Sequence, residues 1–388
     1  MMGEKYVLMV VPSDFPQGDA GAVRDFSFAE IYKMLGYRTI LIGKGKTDRE
    51  GRYKQVQYYS VYRPADTKKE KLFRYVKTIY EYKRLIEKVM EDHGPPSVIH
   101  MNALPGLTAD RLISIAVKYH ISILHDSTEW YSPSEFPHGV FDKAYILRNR
   151  FNTKVIRKPI RVIGISEYLT TYYQRRGLMA VRIPAIMDVM SAGQSVSAQS
   201  DDIIRFIYAG SPGKKDYINE IVKGFIYAGK IRKKFELHML GIDSVKLKEI
   251  TSLEKIPEYI ITYGRVPRTE VEKVMQEMDF SVLLRPENER YAKAGFPTKV
   301  AEAMAHGVAM VCNLSSDLDK YLSDGKNSII VKECDYQLLG QALLRISDMR
   351  RDEIEQVKHN ARVTAEQYFD YRKWTSEVRK CLLTERKE

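Results

Sequence analysis

A chain of 388 residues is longer than one hydrophobic core usually serves, so length alone predicts two domains of ordinary size. Hydrophobic residues make up 44% and charged residues 29%, which excludes a disordered chain, and no apolar run approaches the roughly 18 residues a spanning helix needs. The net charge of +12 would suit nucleic acid, but 50 acidic residues are interleaved with the 62 basic ones, and zinc-finger spacing, RNP-like aromatics and a basic tail are missing, so nucleic acid is not an expected partner.

The opening MMGEKYVLMVVPSDFP holds a short apolar run that passes into a turn without a small-residue cleavage site, and reads as a first strand over Lys5 to Val11. Val23 to Leu35 follows as a helix closed by Gly36, then a strand from Arg38 to Gly43. Lys68 to Lys88 sets Leu72, Phe73, Val76, Ile79, Tyr80 and Ile86 at helical spacing, with Arg74, Lys77, Lys83, Arg84 and Lys88 between them. This is an amphipathic helix that packs on a sheet and shows a solvated face; contact with anionic lipid is a second reading, compatible with the first. Ser97 to Met101, Ile121 to His125 and Val162 to Ile165 are buried-strand candidates, with helices at Thr108 to Tyr119 and Glu167 to Arg176.

Met190 to Asp202, MSAGQSVSAQSDD, has no apolar periodicity and reads as a linker. Strands then resume at Ile203 to Ala209, Phe235 to Gly241, Ile260 to Gly264, Phe280 to Leu284 and Val308 to Asn313, with helices at Tyr217 to Lys230 and Glu270 to Met278. Strands alternating with helices imply parallel sheets and an α/β class. The expected division is an N-terminal Rossmann-like domain over 1–190, a linker over 191–202 and a C-terminal one over 203–370. The pattern of Tyr368 to Leu383, with Trp374, Val378 and Leu382, predicts that 371–388 packs back on the first domain. Two such units facing each other across a cleft would bind ligands at the carboxyl ends of their strands. Cys312, Cys334 and Cys381 are odd in number and without metal-ligand spacing, as in a reducing cytoplasm.

The most informative stretch is AGFPTKVAEAMAHGVAMVCN, residues 294–313. Pro297 suits a helix first turn and Gly307 the position that ends the helix. The N–H groups there, after Gly295 and Phe296 and with Thr298 and Lys299 in the first turn, form a cradle for a diphosphate, helped by the helix dipole. Glu302, about one turn in, is placed to accept hydrogen bonds from ribose hydroxyls. On local chemistry alone the simpler reading prevails: Glu302 is an acid favourable to the dipole and Lys299 a surface residue. Gly18-Asp19-Ala20-Gly21 lets backbone approach a ligand or merely turns strand into helix, and its order is not that of a dinucleotide fingerprint, which argues against a dehydrogenase. His125 stands at a strand end, where an isolated histidine is more often structural. Asp126, Glu129 and Trp130 follow it with carboxylates for hydroxyls and an indole face for a sugar ring. Asp317-Leu318-Asp319 spells an acid-x-acid pattern common by chance, so no metal is expected. Ser166 and Glu167 read as a helix cap.

With Tyr208-Ala209-Gly210-Ser211, Ser166-Glu167-Tyr168-Leu169 and Ile183-Pro184-Ala185-Ile186-Met187-Asp188 in the same order and spacing, these motifs make the chain resemble the large retaining GT-B glycosyltransferase family (glycosyl transferases group 1, family 4-like), in its Pro-Thr-Lys branch. The resemblance implies a nucleotide-sugar donor, UDP- or GDP-linked, no further cofactor and no metal, with a saccharide or lipid-linked acceptor. Donor contacts would come from Gly18, Gly21, Gly210, Lys215, Phe296, Pro297, Thr298, Lys299 and Glu302. It implies Glu302 on the ribose, Lys215 as the phosphate lysine and His125 near the donor sugar; Asp126, Glu129 and Trp130 would meet the acceptor. Two positions depart from the pattern. Ala294 stands where an acid usually contacts the sugar, eight positions before Glu302, and Ser211 stands where an arginine usually clamps phosphate. Arg285, at the end of the 280–284 strand, is our candidate for the missing guanidinium, and with His125 and Lys215 completes the expected catalytic set. Fixed cations and N–H dipoles suffice to stabilise a leaving diphosphate. The expectation is a cytoplasmic glycosyltransferase of cell-surface polysaccharide or glycoconjugate synthesis, with peripheral attachment at the inner membrane face left open. A GT-B sugar-nucleotide epimerase or a degenerate nucleotide-sugar binder is the alternative, and a nucleic-acid or membrane-surface binding protein the distant one.

Overall fold

The computed structural model describes residues 5–16, 18, 20–45, 50–62, 70–194, 202–210, 213, 215–232 and 234–382, with backbone only for 62 and 70–74. Asp19, Ser211, most of the 191–202 linker and the side chains of Leu72, Phe73 and Arg74 lie outside the described residues. The chain forms two compact units, one of Met1–Met187 with Tyr371–Glu388 and one of Asp188–Asp370. The boundary therefore falls at Asp188, ahead of the Ser-rich stretch.

The first unit is built on an eight-stranded sheet in the order β3-β4-β2-β1-β5-β6-β7-β8. Its strands are β1 (Tyr6–Asp14), β2 (Arg38–Gly45), β3 (Glu50–Tyr53), β4 (Val56–Tyr62), β5 (Val98–Met101), β6 (Ser122–Ser127), β7 (Arg161–Gly164) and β8 (Ala180–Arg182). Val7, Leu8, Met9, Val10 and Val11 of the central β1 are all fully buried, the continuous apolar run of a parallel strand covered on both faces. All pairings are parallel except β3 with β4, an antiparallel hairpin that turns at Lys54 with φ of 50°. Sequence periodicity missed it because Glu50-Gly51-Arg52-Tyr53 carries little apolar character. The helix Thr375–Leu382 returns to this unit, where Val378 and Cys381 join a core with Phe28, Tyr32 and Leu124.

The second unit has a six-stranded sheet in the order β11-β10-β9-β12-β13-β14. It uses β9 (Ile204–Ala209), β10 (Phe235–Leu240), β11 (Ile260–Gly264), β12 (Phe280–Leu283), β13 (Ala309–Cys312) and β14 (Ser328–Ile330), all paired in parallel. This is the doubly wound order whose direction reverses between β9 and β12. Stacked Phe206 and Phe280, with ring centroids 5.5 Å apart, fill the core at that reversal. Among the described residues no helix is long and apolar enough to cross a membrane.

One ion pair ties the first unit together. Arg24, on the helix Ala20–Met34, donates from Nε and Nη2 to the two carboxylate oxygens of Asp126 on β6, each at 2.8 Å. Its remaining N–H groups reach the carbonyls of Pro184 and, at 3.1 Å, Ile183, and its guanidinium lies over the Phe28 ring at 5.0 Å. Arg24 and Asp126 are 4% and 0% exposed, so either one alone would be an uncompensated buried charge. Arg24→Ala is expected to lower the stability of the first unit by about 3–5 kcal/mol in urea denaturation, with Arg24→Met/Asp126→Leu recovering most of the loss. A single mutant within about 0.5 kcal/mol of wild type would show that the pair does not hold the unit together.

Candidate functional site

Ligands of open α/β sheets bind outside the strand ends where the order reverses, and in the second unit Gly210 and Arg285 follow the ends of β9 and β12. Between them sits Asp216, 8% exposed. Its carboxylate accepts from Tyr208 Oη at 2.8 Å, from Arg285 Nε at 2.7 Å and from Lys299 Nζ. Burial pushes the Asp216 carboxyl up, but the two cations outweigh burial and hold it at about 2. Burial lowers the Lys299 ammonium, against the pull of Asp216, and the ammonium also lies 4.1 Å from the centroid of the Tyr208 ring. Lys299 is therefore an enclosed cation rather than the surface residue that local chemistry suggested.

Gly210 is required by this arrangement. Its φ is 155°, and a Cβ there would fall 2.5 Å from Lys299 Cε and nearer still to Nζ. Asn313, one residue past β13, fixes the Arg285 loop, accepting from Arg285 N at 2.9 Å and donating to Arg285 O at 2.7 Å and Glu287 Oε1 at 2.9 Å. Lys215, half-buried beside Asp216, holds its ammonium 5.7 Å from the Tyr291 ring centroid.

The helix Thr298–Ala305 begins at Pro297, which is its N-cap rather than a first-turn residue. No side chain caps it, so Thr298 and Lys299 carry its leading N–H groups. Gly307, at φ of 72°, ends it as expected, and the Arg362 guanidinium donates to the Ala305 carbonyl at that end. Phe296 is 5% exposed and meets the Tyr321 and Phe369 rings edge-on at 5.7 Å each, so it anchors the loop from inside. Glu302 keeps 29% of its side chain exposed, with Arg268 Nη2 at 3.9 Å; burial of its surroundings raises its carboxyl, opposed by Arg268 and Lys299. Ala294 is fully buried. Asp317 is 6% exposed, and among the described residues no three His, Cys, Asp or Glu side chains gather as a metal site.

The first-unit candidates are distributed differently from the expectation. His125 is not at an open strand end: it is 1% exposed within β6, edge-on to Phe151 at 5.4 Å and Tyr173 at 6.2 Å, and burial pushes it down to about 4. The imidazole is neutral and packed within the first unit. Asp126 is also corrected, since both its oxygens belong to Arg24. Trp130 is 7% exposed, its Nε1 donating to Asn149 Oδ1 at 2.9 Å and its ring 4.4 Å from Tyr172, so its face is a packing surface. Glu129 alone of the acceptor candidates is exposed, and it accepts from Tyr131 Oη. Gly18 closes the turn after β1, where a Cβ would lie 2.5 Å from the Asp14 carbonyl oxygen, and Gly21 is the second residue of the helix Ala20–Met34. Ser166 caps the helix Glu167–Arg175 through a bond from Leu169 N at 3.3 Å.

Residues 192–349 match the family described as Glycosyl transferases group 1. The match lies within the second unit and covers less than half of the chain. The chain is also 27% identical over 138 residues to WcaL of Escherichia coli K12, provisionally named a colanic acid biosynthesis glycosyltransferase; the match covers 35% of this chain and 34% of WcaL, about a third of that relative's length. Among solved structures, sucrose-phosphate synthase from Thermosynechococcus elongatus is similar with a TM-score of 0.73 at 13% identity, over 97% of this chain and 98% of that one. HepE from Anabaena, solved with UDP and glucose, gives a TM-score of 0.66 at 15% identity over 97% and 99%. At such identities the likeness is one of fold, the two-domain α/β GT-B architecture.

Within the matched region the structure brings Arg285 and Lys299 together on Asp216, with Gly210 against Lys299, Lys215 next to Asp216 in the chain and Glu302 a turn along the Lys299 helix. Asp216, Tyr208 and Asn313 were not among the expected site residues. For Asp216 a signal exists, an acid directly after Lys214-Lys215 beyond a strand end; for Tyr208 and Asn313 there is none, because their partners come from distant segments. Gly210→Ala is expected to push Lys299 off Asp216 and to lower stability by about 1–3 kcal/mol, read as a lower Tm of the second unit. A crystal structure of the variant with Lys299 still on Asp216, and an unchanged Tm, would remove the close-approach argument.

Proposed function

We propose that the protein transfers a sugar, with retention of anomeric configuration, from a UDP- or GDP-linked donor to a saccharide or lipid-linked hydroxyl acceptor in cell-surface polysaccharide or glycoconjugate synthesis. The observation that carries the reading is the pair of cations, Lys299 and Arg285, gathered on Asp216 at the β9 and β12 ends, beside the uncapped start of the Thr298–Ala305 helix and within the region matched by the group 1 family, with Lys215 next to Asp216 in the chain. Two cations bridged by one carboxylate leave an excess of positive charge where a diphosphate would lie, and the helix dipole adds to it. As the bond from sugar to diphosphate breaks, negative charge grows on the leaving oxygen, and donors already in place stabilise it without reorganising. Lys299 and Arg285 are in place because Asp216 holds them. This charge supply is why we read the reaction as metal-independent. Glu302, still partly open, takes the ribose hydroxyls. Retention is supported by the resemblance of the Pro-Thr-Lys helix, the pathway class by the name of WcaL, and the uridine donor by the HepE complexes. Three free cysteines suit a cytoplasmic site of action.

Buried Ala294, which offers a sugar only a methyl group, favours one second reading: an epimerase or binder using the same nucleotide site. Release of free nucleotide in the presence of acceptor separates transfer from simple binding. Glu302→Ala is expected to reduce kcat/KM for the donor by about 10–100-fold through lost hydrogen bonds to a charged group. Full efficiency with every nucleotide sugar tried would end the ribose assignment. Activity is expected to persist in excess chelator, and its abolition would bring a metal back into the mechanism.

A further inference from the structure

Glu302 keeps its carboxylate oxygens open, unlike Asp126 and Asp216. Among the described residues they accept no hydrogen bond, and 29% of the side chain is exposed. Arg268 Nη2 stands 3.9 Å from Glu302 Oε1, too far for a hydrogen bond but close enough to act through charge. Arg268 opens the helix Arg268–Gln276, which follows β11. That helix meets the helix Thr298–Ala305 near both ends. At the start the contact is Arg268 with Glu302. At the far end both come to Gly193, whose carbonyl accepts from His306 Nδ1 at 2.7 Å and where Gln276 leaves no room for a Cβ.

The guanidinium is aimed by its own helix. Its Nε donates to Glu272 Oε1 at 3.1 Å, one turn on, which leaves Nη2 as the atom nearest Glu302. Ion pairs between such exposed side chains add little stability, because water screens them. Their effect falls on the charge of Glu302. Burial raises its carboxyl, Arg268 is the larger of two opposing cations, and the other, Lys299, has its ammonium on Asp216. Glu272 pushes the carboxyl up in turn. His306, at the end of the same helix as Glu302, is lowered chiefly by burial and is neutral at neutral pH. A carboxylate accepts from two hydroxyls through two oxygens, whereas a protonated carboxyl turns one of them into a donor.

We infer that Arg268 is a positioning residue of the donor site, acting across the gap between two helices to keep both Glu302 oxygens as acceptors for the ribose of a nucleoside diphosphate. The inference rests on the ribose reading of Glu302 and adds the group that acts on it. An arginine bonded directly to the carboxylate would consume it, as Arg24 consumes Asp126. At 3.9 Å the charge is felt and the lone pairs stay free.

The test is calorimetric titration of the full chain with UDP and GDP and with their 2′-deoxy forms, from about pH 5.5 to about pH 8.5. The wild type is expected to prefer a ribonucleotide. Removing the guanidinium raises the Glu302 carboxyl further, so the second acceptor is lost earlier as pH falls. Arg268→Gln is therefore expected to keep the wild-type melting curve and the affinity at high pH, and to bind at least about fivefold more weakly where the two profiles differ most. Arg268→Lys restores most of the profile, and in a Glu302→Ala background Arg268→Gln changes nothing further. Carbon-13 NMR titration of glutamate-labelled protein, with Glu302→Gln to assign the resonance, reads the same upward shift without nucleotide. Binding of neither nucleotide, or equal binding of the 2′-deoxy forms, ends the ribose reading and the inference with it. A clear ribose preference with an unmoved Arg268→Gln profile, or an unmoved Glu302 resonance, ends the inference alone. A loss of the same size at every pH makes Arg268 a direct nucleotide contact and also overturns it.

Discussion

The ligand end of the second unit depends on the need to satisfy one buried carboxylate. Asp216 cannot stay charged at 8% exposure unless cations come to it, and the two that come are 69 and 83 residues away in sequence. Arg285 is delivered by the end of β12 and Lys299 by the start of the helix Thr298–Ala305, so one acid brings two separately folded segments to a common point. Gly210 has no side chain because the lysine passes where a Cβ would be. Asn313 then fixes the Arg285 loop through its backbone, leaving the guanidinium aimed by Asp216. A structural requirement of the fold thereby becomes a preorganised cationic site, which is what stabilising a leaving diphosphate asks for.

The same physics works in the opposite sense in the first unit. Arg24 and Asp126 satisfy each other completely, and the carbonyls of Ile183 and Pro184 take the arginine's remaining donors. Nothing is left over for a ligand. His125, next to Asp126 on the same strand, is enclosed by Phe151 and Tyr173, and Trp130 is enclosed by Tyr172 and Asn149. Residues whose types suggest sugar recognition are here used to close a core, while Val140, Phe141, Ile146 and Leu147 a little further along the chain stay exposed.

Several features of the chain were legible in the sequence because they depend on neighbours along it. Alternating apolar runs and helical periods located most parallel strands within a few residues, Gly36 and Gly307 marked helix ends by their left-handed φ of 84° and 72°, and the pattern around Trp374 and Val378 signalled the return of the C-terminus to the first core. The edge strand β3 and the helix Lys143–Arg150 were not legible, because neither carries a hydrophobic period: the first sits on a sheet edge and the second buries none of its residues.

By itself the sequence determined the α/β class, the division into two units and the helix that starts after Gly295, since each follows from local composition, spacing or turn chemistry. Tertiary structure alone decided which polar groups are spoken for. Whether an aspartate binds a ligand or an arginine depends on which side chain, tens of residues away, is folded against it. Asp126, expected at an acceptor, is consumed by Arg24, while Asp216, not expected at all, gathers Arg285 and Lys299. A carboxylate's partner is set by burial and long-range packing, and neither has a period that can be read along the chain.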